Sequence, residues 1–210
     1  MNETLSHIHH FEKGADASAR PLLLLHGTGG DENDLVPFGR TIAPTASLLS
    51  PRGKVLENGM PRFFRRLTEG VFDEEDVRHR AQELADFVEA ARLRYGIAAP
   101  IALGYSNGAN IAAAVLLMRP EVLAAAILLR AMAPLSQAAP VDLTDKQILI
   151  LSGQRDPIIQ PEHAARLVSL LQRDGATVEH RILPTGHELS QADVTLAREW
   201  LHAHDHPAMQ

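Results

Sequence analysis

The sequence predicts an α/β protein in which an open, mostly parallel sheet carries helices on both faces. Two observations carry this. Short continuous apolar runs recur along the chain, the first of them stopped by glycine, and segments with the 3.6-residue period of an amphipathic helix lie between them. The runs "PLLLLHG" (21–27), "ASLLSP" (46–51), "PIALGYS" (100–106), "AAAILLRAM" (124–132) and "KQILILSG" (146–153) read as strands buried on both faces. "VEHRIL" (178–183) alternates more, and "SHIHHF" near the start reads as an edge strand.

The helices follow in the same order. From Val77 the apolar positions run Val77, Ala81, Leu84, Val88, Ala91 and Tyr95, which share one face. The acidic "DEED" before them suits the positive end of a helix dipole, and Gly96 suits a left-handed C-terminal position. "ANIAAAVLLMRP", "PEHAARLVSLLQRDG" and "QADVTLAREWLHAH" predict three more helices. The segment 52–73 reads as the longest irregular stretch, a loop long enough to be functional. His202, His204 and His206 read as part of a polar tail.

Composition bounds the function. A chain of 210 residues with 45% hydrophobic content can bury one sizeable core, so residues 1–210 are expected to form a single domain. A formal charge of −6 argues against nucleic acid and anionic membranes as partners. The chain has no cysteine, which removes disulfides, thiolate metal sites and cysteine nucleophiles. The N-terminal segment lacks the apolar stretch of a signal peptide, and the longest apolar runs of the chain, "IAAAVLLM" and "VLAAAILL", fall short of a bilayer span. A cytoplasmic location is therefore expected.

In sheets of this kind ligands bind outside the carboxyl ends of the strands. Three strand ends carry one chemistry. At the first, Gly104-Tyr105-Ser106-Asn107-Gly108 sits between a strand and a helix, the setting of a nucleophile elbow, where small residues permit a tight turn. A serine hydroxyl needs a base and a group to orient that base. Asp156 follows "ILILSGQ" and His187 follows "HRILPTG", giving the order serine, aspartate, histidine. Competing acids are worse placed: Asp142 and Asp145 precede their strand, Asp174 follows a helix and Asp193 lies inside one.

The other strand end is "LLLLHGTGGDEND". Acyl transfer builds negative charge on a carbonyl oxygen, which backbone N–H groups must meet. The residue after the nucleophile and the loop after this strand supply those donors in the elbow arrangement, which assigns them to Asn107 and Thr28. A phosphate-binding loop would need a Gly-Lys-Ser/Thr ending that is absent. His26 reads as a structural loop residue.

The stretches "LLLLHGTGGDENDL", "GYSNGAN" and "LSGQRDPIIQPEHAARLVSLLQRDGATVEHRILPTGHELS" resemble the small carboxylesterase, phospholipase and acyl-protein-thioesterase branch of the α/β-hydrolase superfamily. The resemblance implies an α/β-hydrolase fold without a large cap domain, with Ser106 as nucleophile, Asp156 as acid, His187 as base, and Thr28 and Asn107 as oxyanion amides. It implies no cofactor and no metal, a small-molecule ester substrate, and relatives that are often homodimers. Acyl-protein thioesterases usually carry glutamine and leucine where this chain has Asn107 and Thr28. That departure moves the resemblance toward bacterial carboxylesterases, including hydrolases associated with hydroquinone metabolism, and toward small soluble esters.

Phe63 and Phe64 are candidates to line the acyl or aromatic side of the cleft, with pinning of the loop to the core as the alternative. Met132 is a third candidate. Arg62, Arg65 and Arg66 could meet a substrate carboxylate. Two other classes are compatible with the chain: a non-catalytic ligand receptor on the same fold, and a metal-dependent hydrolase using "HIHH".

Overall fold

The computed structural model describes residues 5–204. In chain order the elements are β1 (His9–Glu12), β2 (Leu22–Leu25), α1 (Val36–Ile42), β3 (Leu48–Pro51), β4 (Val55–Glu57), β5 (Met60–Arg62), β6 (Arg66–Thr68), β7 (Val71–Phe72) and α2 (Glu74–Tyr95). They continue with β8 (Ile101–Tyr105), α3 (Asn107–Met118), β9 (Ala125–Leu129), β10 (Gln147–Gly153), α4 (Pro161–Arg173), β11 (Thr177–Leu183) and α5 (Gln191–His204). Seven strands form the central sheet in the order β1-β3-β2-β8-β9-β10-β11. Only β1 runs antiparallel, at the edge beside β3; the other pairings are parallel.

Alternation along the strands separates two cores. Leu23, Leu25 and Ala102 face α2 and α3, while Ile148 and Ile150 meet α4 through Leu167 and Leu171. Leu22, Leu24, Ile101, Leu103, Leu149 and Leu151 turn to the other face, where Val36 and Ile42 of α1 and Ala197, Trp200 and Leu201 of α5 cover them. Each strand is thus apolar on both sides, which is why it appears in the sequence as an unbroken run and not an alternating one. From β2 the chain passes first to β3 on one side and later to β8 on the other. The crevice at this reversal of strand order opens at the carboxyl ends of β2 and β8.

Three expectations are corrected. The segment 52–73 is not irregular: β4 pairs with β5 and β6 with β7, each as an antiparallel hairpin. The first turn is Asn58-Gly59, both at positive φ (52° and 80°), the conformation that Asn-Gly favours in two-residue hairpins. Helix α1 was not anticipated from "DLVPFGRTIAP", where Gly39 obscures the helical pattern. It is admitted because Gly39 packs flush against Leu24 and Leu48. The tail reading of the C-terminal histidines also gives way: the helix expected over "QADVTLAREWLHAH" is α5 and includes His202 and His204, with the His204 ring stacked on Trp200, while His206 lies outside the described residues. No helix among the described residues is long and apolar enough to cross a membrane.

The "HIHH" stretch is engaged in packing. His7 is buried against Phe87, and His9 donates or accepts at Tyr95 Oη (2.7 Å) while its Nδ1 donates to the His7 carbonyl (2.8 Å). Burial pushes the His7 pKa down to about 4, with Lys54, Arg80 and His9 acting in the same direction and Glu83 against it. A histidine whose folded pKa is depressed contributes stability that is complete above its unfolded value and is lost as pH falls from there toward the folded value. Denaturant unfolding should therefore show about 2 kcal/mol of stability lost between pH 7.5 and pH 5 on account of His7. A His7→Asn variant should show a pH dependence shallower by that amount; an unchanged profile would exclude His7 as its source.

Candidate active site

Ser106 stands between β8 and α3 at φ 51°, ψ −112°, a conformation that L-residues avoid and that nucleophile elbows impose. Two backbone bonds hold it there: its N–H donates to Leu129 O (2.8 Å) at the end of β9, and its carbonyl accepts from Asn110 N–H (3.0 Å) in α3. The turn closes because a side chain at Gly104 would strike Gly108 and Ala109, and one at Gly108 would strike the Leu25 carbonyl. The first turn of α3 is consequently pressed against the end of β2.

The three residues of the predicted triad converge. His187 Nε2 lies 3.0 Å from Ser106 Oγ, and His187 Nδ1 lies 2.8 Å from Asp156 Oδ2. Asp156, buried beyond β10, accepts through Oδ1 from the N–H groups of Ile158 (2.8 Å) and Ile159 (2.9 Å), so its carboxylate is fixed at both oxygens. With Oδ2 drawing the Nδ1 proton, Nε2 is left as the acceptor facing the serine hydroxyl.

His187 sits on a loop, and Arg130 holds that loop. Arg130 is wholly buried at the end of β9. It donates to Gly186 O (3.0 Å), Glu188 O (3.0 Å) and Thr185 Oγ1 (3.2 Å) around His187, to Leu151 O (3.2 Å), and as a two-pronged ion pair to Asp193 (2.7 and 2.9 Å), itself wholly buried. Asp193 Oδ2 also accepts from Ser190 N–H and Oγ–H, both at 2.8 Å. Tyr105 Oη adds a bond to the His187 carbonyl (3.2 Å). Sequence reasoning passed over this pair, although an arginine inside the apolar run "AAAILLRAM" was the signal that could have found it.

Thr28 lies in the loop after β2, and Asn107 opens α3. Neither backbone N–H has a hydrogen-bond partner among the described residues, as expected at a helix start for Asn107. Four bonds tie these loops to the hairpin segment. Asn107 Oδ1 accepts from Phe63 N–H (2.7 Å), Gly29 N–H donates to Pro61 O (2.9 Å), Arg62 Nη1 donates to Thr28 Oγ1 (2.9 Å), and Gly53 N–H donates to His26 Nε2 (3.0 Å). His26 Nδ1 donates to Gly27 O (2.6 Å), leaving Nε2 unprotonated, and burial lowers its pKa accordingly. His26 is a structural tie between two loops.

A cavity of about 350 Å³ opens over these groups, lined by Thr28, Ser106, Asn107 and His187 together with Met132, Phe72, Ile158 and Ile159. Met132 is thus on the wall. Phe63 and Phe64 are not: they are 3% and 0% exposed and pack in the core with α2 and α3, so the candidate lining role is corrected to pinning of the hairpins. Phe72, in edge contact with Phe64, takes the wall position that they were expected to hold. Asn110 also reaches the cavity, with Oδ1 held by Met132 N–H (2.9 Å); its place four residues after Ser106 on one helix face was the overlooked signal.

Residues 7–205 match the phospholipase/carboxylesterase family of α/β-hydrolases. The chain belongs to that family. It is 47% identical over 194 residues to "Putative hydrolase MhqD" of Bacillus subtilis (strain 168), covering 91% of this chain and 96% of that protein. Among solved structures, the Bacillus cereus carboxylesterase superposes with TM-score 0.92 at 44% identity, over 94% of each chain. A carboxylesterase from Mesorhizobium loti superposes with TM-score 0.86 at 36% identity, over 90% of each. This family member is a carboxylic ester hydrolase on an α/β-hydrolase fold, and the seven-stranded sheet and five helices described above are its framework.

Removing one partner of a buried ion pair leaves the other charge uncompensated. Arg130→Met and Asp193→Leu should each cost about 3–5 kcal/mol of stability in urea unfolding. The double variant should recover much of that loss, because no charge is then stranded. Equal losses in singles and double would show that the pair acts only through packing.

Proposed function

We propose that the protein hydrolyses small carboxylic esters through a covalent acyl-enzyme, with Ser106 as nucleophile, His187 as general base and then acid, and Asp156 as the group that orients His187. The observation that carries this reading is the continuous chain from Ser106 Oγ through His187 to Asp156, at 3.0 and 2.8 Å. Ser106 Oγ attacks the ester carbonyl as its proton passes to His187 Nε2. The tetrahedral oxyanion is met by the unpartnered N–H groups of Thr28 and Asn107. His187 returns the proton to the departing alcohol, and a water activated by the same nitrogen then hydrolyses the acyl-serine.

The cavity's volume favours a small substrate. At about 350 Å³ it lies at the small end of ligand pockets, which run from about 300 to about 1,000 Å³. The wall of Met132, Phe72, Ile158 and Ile159 suits an apolar or aromatic portion. The names of the B. cereus and M. loti proteins agree with ester hydrolysis.

Ser106→Ala should lower turnover of 4-nitrophenyl acetate by at least about 10³-fold without changing the unfolding midpoint, and Asp156→Asn by about 10³–10⁴-fold. A fluorophosphonate should label the parent protein at Ser106. Retained turnover in Ser106→Ala would refute the assignment, and tight ligand binding with neither turnover nor labelling would indicate a receptor.

A further inference from the structure

Three arginines were singled out in the hairpin segment, and the structure separates them. Arg65 is turned outward, 62% exposed, and pairs with Asp73 (3.0 Å). Arg66 lines the cavity and occupies both oxygens of Glu57, with Nη2 at 2.7 Å and Nε at 3.0 and 3.2 Å. Arg62 also lines the cavity but is only 3% exposed, and its share of Glu57 is one contact of 3.3 Å. Its Nη1 is spent on Thr28 Oγ1 and its Nε on Phe64 O (3.2 Å). Nη2 has no hydrogen-bond partner among the described residues, and it is not sealed among those buried atoms that lack one.

The pairing of charges at this wall is uneven. Two guanidinium groups share one carboxylate, and that carboxylate is already held by the more exposed of the two. Glu69, the remaining carboxylate on the lining, is exposed, and the groups that act on Arg62 are Arg66 and Glu57. Burial lowers the Arg62 pKa from its ordinary value, Arg66 lowers it further and Glu57 only partly opposes them. A buried cation is costly unless paired, so one with an unused donor edge beside a reaction centre marks where a ligand brings the counter-charge.

We propose that the protein's preferred substrates are small esters that carry a free carboxylate, bound through the open edge of Arg62 with Arg66 supplying additional positive potential. The inference rests on the Ser106 ester-hydrolase reading and specifies its substrate class. A guanidinium is suited to this task because its planar donors match a carboxylate. Through Thr28 Oγ1 the same side chain is linked to the loop that supplies an oxyanion donor, so substrate charge and reacting carbonyl are referred to one residue.

Two matched pairs test it, one with the carboxylate on each side of the ester: monophenyl succinate against its methyl ester, and 4-acetoxybenzoate against methyl 4-acetoxybenzoate, each followed by phenol release. In at least one pair kcat/KM should favour the acid over its methyl ester by on the order of tenfold to a hundredfold, the range of a charge-assisted hydrogen bond. Added salt should shrink that advantage, since screening weakens attraction between charges. Arg62→Gln should bring the ratio close to one, mainly through KM for the acid, and Arg62→Lys should keep part of it. If Arg62→Gln does not fold, the parent's acid-to-methyl-ester ratio, its salt dependence and protection of Ser106 from fluorophosphonate by free succinate decide the matter. Turnover of the methyl esters with no preference for either acid would overturn this inference and leave the hydrolase reading standing. Absence of phenol release from all four, without Ser106 labelling, would overturn both.

Discussion

The candidate site depends on a salt bridge that no substrate touches. Arg130 and Asp193 lie wholly out of solvent, and a buried pair of this kind recovers its desolvation cost only when the remaining donors and acceptors are also satisfied. Here they are satisfied by the loop that carries His187: its flanking carbonyls and Thr185 take the arginine's protons, and Ser190 donates to the aspartate. The end of β9 thereby becomes a common reference. Leu129 fixes the backbone of Ser106, and the next residue, Arg130, fixes the loop of His187. Ser106 and His187 come from segments 81 residues apart, yet their spacing of 3.0 Å is set from one point in the sheet.

This explains why parts of the molecule were legible in the sequence and others were not. The central strands announce themselves because both faces are buried, so their signal is local. Ser106, Asp156 and His187 were legible because the parallel sheet places every strand's carboxyl end on one edge, which turns a question of geometry into one of chain order. Arg130 and Asp193 were not, because their meaning is a relation between two elements: each alone looks like a charge in the wrong place. Asp193 was set aside as a candidate acid for lying inside a helix, and that placement is what lets it meet Arg130.

The hairpin segment failed for different reasons. Its strands are two or three residues long and lack the apolar alternation that marks a half-buried strand, although Asn58-Gly59 was a usable turn signal. Phe63 and Phe64 were open to two readings, pocket wall or pin to the core, because large aromatics in a loop invite both. Their burial beneath the hairpins leaves the wall to Phe72 and the polar corner to Arg62. Asn107 also acquires a second meaning: besides lining the cavity, it holds the Phe63 N–H with its side chain and so ties the hairpins to the elbow.

Gly108 leaves no room for a side chain between the first turn of α3 and the end of β2. Almost any substitution there would force the start of α3, with Asn107, away from the loop that carries Thr28. The hairpins, by contrast, expose Leu56, Met60, Leu67 and Val71 to solvent and meet the elbow through a small number of hydrogen bonds. Heritable variation is therefore steered unevenly. Exposed hairpin positions can be rewritten at little cost to packing, whereas the place of Gly108 admits nothing larger than a hydrogen atom.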